Sequence, residues 1–145
     1  MWNFGVLGFC RPSLVQGQSS EYSSWETVNE VVAALQKRLN SLSAEELLAF
    51  DRILERKLYD IDRADIHEYT DGSDDGFLYC RGFIVAIGRE YYEAVRANPS
   101  VAICDAECEE MCYLSWNLYR KKFGEMPRSG ISRESNSNTE GWPSV

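Results

Sequence analysis

Apolar residues recur at helical spacing along most of this chain. Val28, Val31, Val32, Leu35 and Leu39 form a first stripe, and Ser23-Ser24-Trp25-Glu26 ahead of it is a capping-box pattern. Ser43-Ala44-Glu45-Glu46 repeats that start signal. Leu47, Phe50, Leu54, Leu58 and Ile61 follow at intervals of three and four, with Arg52, Glu55, Arg56 and Lys57 mostly off the stripe. A short helix is expected around Arg63–Tyr69, ended by the turn Asp71-Gly72. Ser73 then caps the next helix, with Asp74 and Asp75 in its first turn, where exposed amides and the dipole favour anions.

That next segment, Phe77 to Gly88, is apolar on every side and interrupted by one cation, Arg81. A helix hydrophobic all round belongs at the centre of a domain. A buried guanidinium needs a partner, and Asp51, on the Leu47–Leu54–Leu58 stripe, is the expected one. The rival is a hairpin, because Phe77–Cys80 and Phe83–Ile87 are rich in β-formers, but Arg81-Gly82 makes a poor two-residue turn. Arg89 to Ala97 form a further helix, stopped by Asn98-Pro99. Asp105 is expected to cap a last one carrying Met111, Leu114, Trp116 and Tyr119, with Gly124 and Pro127 beyond its end.

The expected fold is therefore all-α: a compact single-domain bundle of five or six helices over residues 22–127, with the apolar helix in its middle. Residues 1–21 show no period and are expected as a flexible N-terminal extension. Residues 128–145, rich in Ser, Asn, Gly and Pro, are expected as a disordered tail in which Trp142 is a lone exposed aromatic.

Charge narrows the function. With 15 cationic and 23 anionic side chains in 145 residues the net charge is −8, which repels phosphate backbones and anionic lipid. The basic exceptions, Lys37-Arg38 and Arg120-Lys121-Lys122, sit near helix ends, where cations suit the dipole anyway. Neither nucleic acid nor membrane is an expected partner. Five cysteines, an odd number, read as reduced thiols in a cytoplasm.

Several of these motifs together resemble a known family. Leu42-Ser43-Ala44-Glu45-Glu46 with Phe50, then Ser73-Asp74-Asp75-Gly76-Phe77 with Arg81, then Gly88-Arg89-Glu90 and Tyr92, are similar to the bacterial domain-of-unknown-function family 4240. Trp25-Glu26 matches its start and Tyr119 to Pro127 its end, over roughly residues 24–127. Asp74, Asp75, Phe77 and Arg81 carry the most specific part of the motif. Phe83 stands where that family usually has Trp, and the stretch before Ser73 is acidic here rather than apolar and glycine-rich. The resemblance implies a compact helical fold and no established activity.

Candidate chemistry is sparse. Asp71-Gly72-Ser73-Asp74-Asp75-Gly76 opens like a calcium loop, but Gly82 at the twelfth position supplies no carboxylate. Cys104, Cys108 and Cys112 fall four apart on one side of the expected helix, without the second cluster a metal site needs. No metal or cofactor is expected. The acidic run Asp60, Asp62, Asp65, Glu68 and Asp71 is the candidate protein-binding face, fit to recruit a basic partner. On this reading the chain is a small cytoplasmic interaction module, immunity- or antitoxin-like. The alternative is a small hydrolase or anionic-ligand-binding domain built on His67, Asp74, Asp75 and Arg81.

Overall fold

A computed structural model of the chain describes residues 21–70 and 73–143, with side chains from residue 27 onward. Among these residues there are six α-helices and no strand: α1 Glu21–Leu39, α2 Ala44–Asp60, α3 Ala64–His67, α4 Asp74–Ile87, α5 Arg89–Ala97 and α6 Glu109–Phe123. Short 3₁₀ turns cover Pro99–Val101 and Thr139–Gly141. The expected bundle is present and the hairpin is not; one helix runs through Arg81-Gly82. The extension expected over residues 1–21 lies almost wholly outside the described residues, as does Asp71.

The local signals act as physics requires. Ser43 accepts the Glu46 amide while the Glu46 carboxylate accepts the Ser43 amide, a complete capping box. Ser73 accepts the Gly76 amide at 3.1 Å, and α4 closes at Gly88. α1 begins at Glu21, ahead of the expected Ser23 cap. α6 starts later than expected, at Glu109. Cys108 occupies its cap, and Asp105 sits in a loop with its amide bonded to the Thr70 carbonyl. Cys104 therefore lies before the helix, and the three cysteines share no helical stripe.

Helix α4 is the rod around which the others pack. Every residue from Cys80 to Ala86 is buried, against α1, α2, α5 and α6. Burying each Phe, Leu or Ile of this rod contributes about 1.5–3 kcal/mol. α6 comes closest, at Gly82: a Cβ there would stand 2.6 Å from Cys112 Sγ and collide with the Cys108 carbonyl oxygen. The approach brings the Cys108 amide to the Tyr79 carbonyl at 2.9 Å and Cys112 Sγ to the Leu78 carbonyl at 3.4 Å. Tyr92 of α5 reaches α2 and donates to the Lys57 carbonyl at 2.7 Å; burial pushes its phenol pKa upward.

Candidate functional site

The notable chemistry lies where α2, the turn after it and α4 face one another. Asp51, Glu55, Asp62 and Arg81 all sit there, and Asp51, Asp62 and Arg81 have no exposed surface at all. Buried charges are costly unless paired. Their partners come chiefly from residues 128–143, the segment expected to be a disordered tail, which instead crosses the bundle as a strap.

Each anchor is specific. Asp51 accepts from Ser115 Oγ of α6 at 2.7 Å and from the Arg133 guanidinium of the strap. Arg133 also lies 3.8 Å from Glu55 and donates to the Cys112 carbonyl at 2.6 Å. Ser129 Oγ donates to Glu55 at 2.5 Å. Asp62 holds four N–H groups: its two oxygens accept the backbone amides of Asn136, Ser137 and Asn138 at 2.8–3.1 Å and the Trp142 indole at 2.9 Å. Gly141 seats directly on the backbone of Asp62 and Arg63; a Cβ there would fall 2.5 Å from the Asp62 carbonyl oxygen.

Arg81 does not pair with Asp51. Its guanidinium donates to the Leu58 carbonyl at 2.8 Å, the Arg133 carbonyl at 2.9 Å and Ser135 Oγ at 3.2 Å, and it lies 4.8 Å from the centre of the Phe77 ring. Among the described residues no carboxylate comes within 4 Å of it, and its Nε–H has no acceptor. Burial lowers its pKa, against the opposing pull of the Asp62 charge. The expected pairing failed because the strap supplies Asp51 with its own arginine.

The acidic face is likewise rearranged. Asp62 points inward and holds the strap, Asp60 pairs with Arg56 at 3.1 Å, and Asp65 pairs with Arg63 at 2.5 Å. The Arg63 guanidinium holds the Asp65 carboxyl below the usual carboxylate range. Glu68 is exposed and makes no ion pair among the described residues. Asp74 and Asp75 are exposed at the start of α4, where the Asp74 carbonyl accepts from Ser135 Oγ at 2.6 Å. Asp75 lies on the other side, its charge felt by Tyr79 together with that of Glu109.

His67 is half-buried, its ring 5.0 Å from Phe77 and 5.3 Å from Trp142, and its Nε2 has no hydrogen-bond partner among the described residues. Three residues of the hydrolase alternative, His67, Asp74 and Arg81, thus contact the strap, and Asp75 stands apart. No group of three or more metal-ligating side chains occurs among the described residues. No helix there is long and apolar enough to cross a membrane.

Of the basic groups, Lys122 Nζ donates to the Asn40 carbonyl just past α1. Arg120 lines a groove of about 500 Å³ together with Trp116, Gly124, Glu125, Met126 and Arg128. Glu125 and the carbonyl end of α6 in that groove oppose an anionic occupant.

A family model described as "Protein of unknown function (DUF4240)" matches residues 13–121. The match begins inside the expected N-terminal extension and stops short of the strap, so it includes Asp51, Glu55, Asp62 and Arg81 but not what fills the space between them. No curated protein and no solved structure matches the chain.

Proposed function

The chain belongs to DUF4240, a family of proteins of unknown function, and from its geometry we propose a non-catalytic cytoplasmic interaction module. Its charged cleft between α2 and α4 captures a basic, extended segment of a partner protein, masking that partner as an immunity or antitoxin protein does. The observation that carries this reading is how the cleft holds residues 133–142. Two carboxylates face the Arg133 guanidinium, and Asp62 gathers three consecutive backbone amides. Carboxylate–guanidinium pairs and charge-assisted bonds to backbone N–H are strong, directional means of holding an extended peptide. The residues that do this lie within the family-matched part, and the strap does not. The strap is thus the cleft's resident occupant. Exposed Glu68, Asp74 and Asp75, with the net charge of −8, speed the encounter with a basic partner.

The test uses the full chain carrying Gly141→Ala, whose new Cβ pushes the strap off Asp62 and Arg63 without altering the cleft. A fluorescent peptide of residues 128–143 is titrated in and followed by anisotropy. Saturable binding that is lost when the peptide carries Arg133→Ala supports the proposal. Failure of the parent peptide to bind removes it.

A further inference from the structure

Resting on that reading, we infer that the cleft selects a partner segment with an acidic residue two positions after its arginine, and that Arg81 is the receptor for it. Arg81 has no exposed surface, yet all three of its acceptors are neutral: two carbonyls and the Ser135 hydroxyl. Its Nε–H is buried without an acceptor. On a guanidinium, Nε–H and one Nη2–H lie along a common edge, the edge that a carboxylate grips with two parallel bonds. Nη2 bonds the Arg133 carbonyl at 2.9 Å and Ser135 Oγ at 3.2 Å, so a strap group occupies the Nη2 half of that edge and the side chain at strap position 135 lies within reach of it.

The surrounding charges set the balance. Asp62, Asp74 and Glu134 are the carboxylates around Arg81 and Ser135, and Arg133 is the second cation. Asp62 meets four donors of the strap, so it offers Arg81 a field but no contact. An aspartate at position 135 gives up the hydroxyl donation to the Asp74 carbonyl and comes near the Asp74 carboxylate, which contacts Asn136 Nδ2 at 3.5 Å. Against this it supplies a directly contacting counter-ion to a fully desolvated cation, through bonds about twice as strong as neutral ones. It also sits at the amide end of α4, which begins at Asp74. The ligand class is an extended peptide reading Arg-x-Asp or Arg-x-Glu. The strap, with Ser135 in that place, is a weaker occupant that such a segment displaces.

Competition on the Gly141→Ala chain tests this. Unlabelled 128–143 peptides carrying Ser135→Asp or Ser135→Asn displace the labelled parent peptide; the two differ in charge and little in shape. The aspartate peptide is expected to compete about tenfold better, equivalent to about 1.4 kcal/mol. Equal or weaker competition by aspartate, with the parent peptide still binding, overturns this inference and leaves the interaction reading standing. If the parent peptide does not bind, the interaction reading is removed and this inference falls with it.

Discussion

Asp62→Asn isolates how much one carboxylate does to hold the strap. The two side chains have the same shape, but asparagine offers one acceptor oxygen where aspartate offers two. Asp62 Oδ1 accepts the Asn136 amide and the Trp142 indole, while Oδ2 accepts the Ser137 and Asn138 amides. Whichever way the new amide turns, two N–H donors face an NH₂ group. Each lost bond to a charged acceptor is worth about 1.5–3 kcal/mol, and the easier burial of a neutral amide returns part of that. A net loss of about 3 kcal/mol is expected, confined to the strap because the apolar contacts of α4 are untouched. Hydrogen exchange reads it directly. The amides of Asn136, Ser137 and Asn138 should lose about a hundredfold in protection, while those of Ile84 and Val85 keep theirs. If the three strap amides exchange in the variant as slowly as in the parent, Asp62 is not what holds the strap.

Two further outcomes follow from the packing of α6 on α4. Gly82→Ala sets a methyl group against the Cys108 carbonyl and Cys112 Sγ, and should lower stability by about 1–3 kcal/mol in urea unfolding; an unchanged midpoint refutes the close approach. Burial raises Cys108 to a pKa of about 11 and Cys112 to about 12, against an ordinary 9.0. The unfolded thiols ionise first, so stability should be fully present below pH 9 and fall as pH rises toward 12, less steeply in Cys112→Ala. Iodoacetamide at pH 8 should accordingly modify exposed Cys104 well before Cys112.

The helices were legible because their signals are local. Ser43 with Glu46, Ser73 with Gly76 and the unbroken apolar run to Ile87 act over one or two turns, and each works as its sequence implies. The site was legible only in its ingredients. Arg81 and Asp51 stand out as charges on apolar stripes, and both are buried. Pairing them to each other failed because their partners on the strap lie 52 to 82 residues away in a stretch with no periodicity. A polar segment of Ser and Asn reads as disorder when its amides have no visible acceptor, and nothing local marks Asp62 as that acceptor. The one available signal was the mismatch itself: more buried charge in the helices than the helices can neutralise, followed by a donor-rich segment ending in tryptophan.

Gly141 makes self-closure something that can be read from other sequences. The strap touches down where a single methyl group would meet the carbonyl of Asp62 and the Arg63 side chain. A relative with the inward aspartate but a bulkier residue ahead of its tryptophan is barred from this latch. Such a chain must leave its ionic crevice to water or give it to another molecule, so a one-residue difference sorts shut homologues from open ones.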